Sequence, residues 1–268
     1  MNYNDFTVEI KKMCNIDLSN YKEKQMKRRI DSLIKRNGHK SYDSYIKQLK
    51  QNEQHLKEFL GYITINVSEF FRNPSQWQIL EREIIPELIS DKKKLKIWSS
   101  ASSTGEEPYS IAMLLNKMSI INKTEIIASD IDKDALKKAK QGIYSTKGIA
   151  NVPEEMIKIN FQKVNDKYII KDEIKSMVDF KIINLLEDTF PRACDLILCR
   201  NVMIYFTEET KDKLYKKFYN ALSDRGIFFV GSTEQIIMPQ KYGFFNRKNF
   251  FYQKIININT QFNNTYTS

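Results

Sequence analysis

Five short segments carry polar side chains in patterns that could bind or transform a ligand. The longest is Trp98-Ser99-Ser100-Ala101-Ser102-Ser103-Thr104-Gly105-Glu106-Glu107-Pro108-Tyr109-Ser110. Its small residues let a backbone approach a ligand closely, Gly105 tolerates dihedrals that other residues avoid, and Pro108 suits a first helical turn. The turn has neither GxGxxG nor a P-loop pattern. Glu106 and Glu107 stand at the positive helix end that a pyrophosphate normally uses. A cationic, phosphate-free nucleoside therefore fits better than a phosphate; the other reading is that the two acids only cap the helix. In Ser129-Asp130-Ile131-Asp132, an acid at a strand end can accept hydrogen bonds from ribose hydroxyls, and we assign Asp130 to that task and Asp132 to a helix cap. Asn184-Leu185-Leu186 and Arg200-Asn201-Val202-Met203-Ile204-Tyr205-Phe206 follow two further strands. Cys199 makes a poor candidate nucleophile, because His39 and His55 lie outside the sheet region and could not activate it. In Thr64-Ile65-Asn66-Val67-Ser68-Glu69-Phe70-Phe71-Arg72-Asn73-Pro74, polar residues alternate with apolar ones, which suggests a lid. Alternatively, Phe70 and Phe71 pack between domains and Arg72 makes a surface ion pair.

These segments need elements to hold them. Residues 4–90 read as helices, with apolar spacing near 3.6 residues at Ile30, Leu33 and Ile34, at Tyr42, Tyr45, Ile46 and Leu49, and at Leu56, Phe59, Leu60 and Ile63. Asn37-Gly38 stops one helix and Ser41 can cap the next. From Leu95 onward short apolar runs (95–99, 125–129) alternate with helices (about 108–117 and 132–141), the pattern of β-α-β units in a parallel sheet covered on both faces. Residues 142–178 read as an insertion containing a hairpin at 167–171. The alternation resumes with strands at 178–183 and 195–199 and a helix at 208–222 capped by Thr207. Arg225-Gly226 would end that helix and 227–231 form the next strand. Phe244-Phe245 and Phe250-Phe251-Tyr252 suggest a closing antiparallel hairpin around 246–249. The expected domains are a helical unit at 1–75, a linker helix at 76–94 and an α/β unit at 95–257. The Asn- and Thr-rich tail at 258–268 is expected to be disordered.

The 268 residues suffice for one large and one small domain. Net charge is +10, and residues 1–60 hold 13 Lys or Arg against 8 Asp or Glu. That surplus would steer the chain toward nucleic acid, an anionic membrane or an acidic protein surface, unless it reflects only a Lys-rich composition. No run of 18 apolar residues exists, the N-terminus lacks the pattern of a secretion signal, and Cys14, Cys194 and Cys199 are spaced for neither a metal site nor a disulfide framework. A soluble, cytoplasmic protein without a metal is expected.

Taken in order, Asn66-Val67-Ser68-Glu69-Phe70-Phe71-Arg72, 102–110, 128–132, 184–186 and 199–206 closely resemble the chemotaxis receptor methyltransferases, the CheR family, over about residues 4–255. The resemblance implies an α/β fold: a Rossmann-like S-adenosylmethionine-dependent methyltransferase domain with a small inserted β-subdomain, preceded by an all-α domain. It implies methylation of receptor glutamates to γ-methyl esters for chemotactic adaptation, with release of S-adenosylhomocysteine. Asn66, Ser68 and Arg72 would contact the cofactor from the linker side. Glu106 or Glu107, together with Asp130, would hold its charged and ribose groups, and Asn184, Leu185, Cys199 and Arg200 would line the adenosine side. This chain has Ser68 where many relatives have Thr, which keeps the hydroxyl. Arg72 would also orient the acceptor carboxylate and Tyr205 line the methyl-transfer site. The partners implied are acidic receptor helices, docking on the basic residues 22, 24, 27, 28 and 29; no nucleic acid, membrane insertion or oligomer is expected. The rival readings are a nucleic-acid methyltransferase, disfavoured because no Asn/Asp-Pro-Pro-aromatic motif is present and the basic helices carry few aromatics for stacking, and an adaptor that has lost catalysis.

Overall fold

The computed structural model describes residues 1–90 and 92–255. Helices α1 (Tyr3–Cys14), α2 (Glu23–Arg36), α3 (Tyr42–Gln51) and α4 (Glu53–Ile63) enclose a core that includes Phe6, Ile10, Ile30, Tyr45 and Phe59. Their ends follow local chemistry: α2 closes at Asn37 before Gly38 (φ 77°), and the Ser41 hydroxyl accepts a hydrogen bond from the Ser44 amide at 3.2 Å to open α3. The helices do not run unbroken to residue 90. Between α4 and α5 (Pro74–Ile79) the chain is irregular, with positive φ at Ile65, Phe71 and Asn73. Pro74 disfavours helical geometry at Asn73; Thr64, the C-cap of α4, is still in αR geometry, and the chain leaves the helix at Ile65 (φ 54°), after which Asn66 donates to Asp132. α5 continues through a π-helical segment, Leu80–Ile84, into α6 (Ile85–Ser90), burying Trp77, Leu80, Ile84 and Ile85 against the sheet.

After β1 (Leu95–Ser99), α7 (Glu106–Lys117), β2 (Thr124–Asp130) and α8 (Lys133–Gln141), the chain inserts a second, three-stranded sheet. The insertion comprises β3 (Ile143–Ser145), α9 (Glu154–Asn160), β4 (Phe161–Val164), β5 (Lys167–Ile170) and α10 (Asp172–Lys175), and its three strands pair in the order β3-β5-β4. The main sheet resumes with β6 (Val178–Ile182), β7 (Cys194–Cys199), α11 (Glu208–Ala221), β8 (Leu222–Val230), β9 (Phe244–Lys248) and β10 (Phe251–Lys254). Its order is β6-β2-β1-β7-β8-β10-β9, parallel through β8 and antiparallel at β10 and β9. Successive side chains feed opposite faces: Ile97, Leu196, Leu198 and Phe229 enter one core, Trp98, Ile197, Cys199 and Phe228 the other. The order reverses between β1 and β7, and a crevice opens at the carboxyl ends of the strands.

Several boundaries depart from the sequence reading. The segment at 167–171 is one arm of a hairpin with β4, turned at Asn165 (φ 53°), rather than a hairpin itself. Arg225-Gly226 lies inside β8, not at a helix end. A Cβ at Gly226 would sit 2.9 Å from the Cys194 carbonyl, so this glycine serves a close strand approach at a register shift. The last hairpin turns at Asn249-Phe250, slightly later than expected. The tail at 258–268 lies outside the described residues. No described helix is long and apolar enough to cross a membrane.

Candidate functional site

The crevice at the switch point is a cavity of about 970 Å³, including its open mouth. The 64–72 linker forms one wall, the carboxyl ends of β1, β2, β6 and β7 form the floor, and Tyr21 and Ile63 of the helical unit close the top. Its shape depends on the turn before α7. Gly105 has φ 97°, and a Cβ there would meet Ala139 at 2.9 Å and Tyr144 at 3.0 Å. A larger residue would be both strained and obstructed.

The two turn glutamates do different things. Glu107 lines the cavity; its Oε1 accepts from the Ser99 hydroxyl at 2.8 Å and its Oε2 pairs with Arg200 at 3.3 Å. Glu106 does not line the cavity. Both of its oxygens lie within hydrogen-bond reach of the Thr104 hydroxyl, at 2.8 and 2.7 Å, which holds Glu106 back on the turn. Asp130 lines the floor at the end of β2, accepting the Ser103 amide at 2.8 Å and the Asp132 amide at 3.0 Å. Each carboxylate oxygen has a second lone pair, so further donors can be accepted. Asp132 caps α8 with one oxygen and accepts from Asn66 at 2.6 Å with the other, which leaves Asn66 clamped between the first two strand ends. Burial raises Glu107 and Asp130 above their ordinary pKa values; Arg200 opposes the shift at Glu107, and backbone amides oppose it at Asp130.

Ser68, Arg72, Asn184, Leu185, Arg200 and Tyr205 also line the cavity. The Asn184 side-chain oxygen Oδ1 accepts from the Leu186 amide at 3.0 Å, an Asx turn that shapes the floor. Cys199 does not reach the cavity, contrary to the sequence expectation. β-strand alternation turns it into the core beneath α11, where burial holds its thiol pKa well above the ordinary value. Arg200 reaches the cavity, but its guanidinium is a hub. Besides Glu107 it donates to the Arg72 carbonyl at 2.7 Å, Asn73 Oδ1 at 3.2 Å and Gln76 Oε1 at 2.9 Å, and it lies 4.7 Å from the Phe229 ring centroid. It therefore binds linker, α5 and α7 to the end of β7. Arg72 makes no ion pair among the described residues, while its charge acts on Glu107.

Sequence reasoning missed Tyr21, Gln76 and Glu234. Glu234 is recoverable in hindsight, since Gly231-Ser232-Thr233-Glu234 follows the carboxyl end of β8, where site residues gather. Tyr21 lies in an irregular segment without a pattern; it reaches the site because the 20–22 backbone pairs with 205–207, Lys22 N donating to Tyr205 O at 2.8 Å and Thr207 N to Asn20 O at 2.9 Å.

A five-stranded parallel array closed by an antiparallel pair, with unphosphorylated-nucleoside chemistry at its switch point, defines a Rossmann-like methyltransferase. The acids suit a ligand bearing ribose hydroxyls and cationic groups, as S-adenosylmethionine does. Comparison with known proteins agrees. Residues 1–64 match the model described as CheR methyltransferase, all-alpha domain, and residues 66–251 the model described as CheR methyltransferase, SAM binding domain. A chemotaxis protein methyltransferase of Listeria innocua is 40% identical over 250 residues, covering 93% of this chain and 95% of the relative. A namesake from Borreliella burgdorferi is 36% identical, covering 85% and 88%. The chain thus belongs to the CheR methyltransferase family, and S-adenosylmethionine is its cofactor.

Proposed function

We propose that the protein transfers methyl groups to glutamate carboxylates of chemotaxis receptors, giving γ-methyl esters and S-adenosylhomocysteine for chemotactic adaptation in the cytoplasm. The observation that carries this reading is the pairing, in one cavity, of an acidic floor (Glu107, Asp130) with a guanidinium, Arg72, that has no carboxylate partner among the described residues. The floor suits a cationic donor and Arg72 suits an anionic acceptor, whose two oxygens match its planar fork.

Bound S-adenosylmethionine supplies an electrophilic methyl group on a sulfonium. A glutamate acceptor, with an ordinary pKa of about 4.3, is already ionised at neutral pH, so no general base is required. The chain accords with this: His39 and His55 both lie in the helical unit, and neither lines the cavity. The carboxylate gains the methyl and the carbon–sulfur electron pair stays on sulfur, so no proton enters the balance. What remains for the protein is alignment, which contributes roughly 7–11 kcal/mol in well-oriented systems. Arg72 is held for this purpose: its carbonyl accepts from Arg200 and from Trp77 Nε1 at 2.9 Å, and the neighbouring Phe71 amide donates to the Ser110 hydroxyl at 3.0 Å. Tyr205 lines the same cavity, and an aromatic ring there suits a sulfonium.

The acceptor would dock on α2. Lys24, Lys27, Arg28 and Lys35 form an exposed basic face there. Arg29, expected to join them, turns inward, donating to the Tyr62 carbonyl at 2.6 Å and stacking on its ring. Mass mapping of a receptor cytoplasmic fragment after incubation with the protein and S-adenosylmethionine tests the reading. Methyl adducts on glutamate are expected; modification confined to lysine or arginine would overturn it.

A further inference from the structure

Glu234 is a buried carboxylate, 5% exposed, to which the chemistry above assigns no task. Its partners are backbone amides of the loop that carries Tyr205 and of Gly231, at the end of β8. Oε2 accepts from the Asn201 amide at 2.5 Å and from the Gly231 amide at 2.9 Å, and Oε1 accepts from the Ile204 amide at 3.2 Å. Asn201 turns the chain at φ 63°, a left-handed conformation that Asn tolerates, and Asn201, Val202 and Tyr205 all line the cavity. Gly231 has no room for a Cβ, which would collide with the Glu234 carboxylate and lie 3.0 Å from the Asn201 amide. The end of β8 is thus shaped to bring one carboxylate under this loop. On the loop's other side, the Tyr205 carbonyl accepts from Lys22 N. Tyr205 is consequently fixed from both directions, and only Glu234 does so with a charge.

We propose that Glu234 is a positioning residue for methyl transfer: through the Asn201 and Ile204 amides its carboxylate sets the 201–205 loop so that Tyr205 faces the reacting groups. This rests on the reading of the cavity as the methyl-transfer site. An ionised carboxylate suits the task because it only accepts, and three amides converge on it. A glutamine would present an NH2 group to at least one of those amides, loosening the loop while keeping the side-chain volume. An aspartate would keep the charge but fall a methylene short.

The test uses the full chain, S-adenosylmethionine and a receptor cytoplasmic fragment, with Glu234→Gln, Glu234→Asp and Tyr205→Ala singly and Glu234→Gln combined with Tyr205→Ala. For folded Glu234→Gln we expect a fall in kcat of about tenfold or more, cofactor affinity within about threefold of the starting protein, and faster amide exchange across 201–205. Glu234→Asp should lie between the two. In the Tyr205→Ala background, Glu234→Gln should lower kcat by less than about twofold more, because both changes remove one arrangement. The proposal is overturned by any of three results in a folded variant: kcat near the starting value in both Glu234 variants, a kcat loss matched by lost cofactor affinity, or losses that multiply in the double variant. If Glu234→Gln does not fold, Glu234→Asp decides by the same criteria. If the unsubstituted protein methylates no receptor glutamate, it is the functional reading that fails, and amide exchange still reports whether Glu234 holds the loop.

Discussion

The Arg200 guanidinium donates to the Arg72 carbonyl at 2.7 Å across 128 positions of sequence, so a side chain rooted at the end of β7 fixes the backbone of a linker residue whose own side chain faces the cavity. This bond joins the two halves of the site. The same guanidinium holds Glu107 and Gln76, which makes Arg200 the point where linker, α5, α7 and sheet meet.

Arg200→Met should therefore cost stability as well as activity. It leaves Glu107 buried with its pairing lost and strips a donor from three acceptors; removing one partner of a buried pair costs about 3–5 kcal/mol. Urea unfolding measures the loss, and Arg200→Met with Glu107→Leu should recover part of it. A single-variant loss below about 1 kcal/mol would refute the hub.

Arg72→Ala should behave in the opposite way. Its side chain makes no ion pair among the described residues, so unfolding should barely change, while kcat falls about 100-fold through lost acceptor alignment. Arg72→Lys should recover little, since an ammonium cannot reproduce the two-oxygen match. Steady-state transfer to a receptor fragment reads this, and unchanged kcat in Arg72→Ala would remove its assigned role.

Acid should weaken cofactor binding. Burial raises Asp130 and Glu107 in the ligand-free fold, so between their ordinary and raised values the folded chain holds more protons than the unfolded one. These groups thus make the ligand-free fold less stable as pH rises through that interval. Binding of a cationic nucleoside needs them ionised, so affinity should fall, and protons be released on binding, as pH drops from neutrality toward the ordinary carboxylate range. Calorimetry in two buffers of different ionisation enthalpy detects this; an affinity independent of pH with no proton release would contradict it.

Receptor docking should be sensitive to salt. Replacing Lys24, Lys27, Arg28 and Lys35 together with alanine should weaken binding to acidic receptor helices and flatten its dependence on ionic strength, while cofactor affinity is kept. Arg29→Ala should instead cost stability, because that side chain is committed to Tyr62. Docking indifferent to salt would remove α2 as the receptor surface.

Much of the fold was legible wherever one short stretch of sequence determines the outcome. The apolar runs of β1, β2 and β7 announce strands buried on both faces, and Ser41, Asp132 and Thr207 announce helix starts, because cap and helix are neighbours in the chain. Gly105 and the acids beside it marked the turn, but which acid lines the cavity depends on Thr104, which holds Glu106, and on Ser99 and the distant Arg200, which hold Glu107. Gly226 misled because its reason is the carbonyl of Cys194, on a neighbouring strand. Glu234 is signalled only by its place after β8, and Tyr21 by nothing, for a related cause. Each meets the 201–206 loop through backbone groups, which every residue carries and no side-chain pattern advertises.

Chemically treating the labelled product is the most direct measurement of the central claim. The protein is incubated with methyl-labelled S-adenosylmethionine and a receptor cytoplasmic fragment, and the isolated fragment is exposed to mild alkali. Transfer to carboxylate predicts release of the label as methanol, absent when the receptor glutamates are replaced by alanine. Label that survives alkali, or that persists in the alanine fragment, would contradict it.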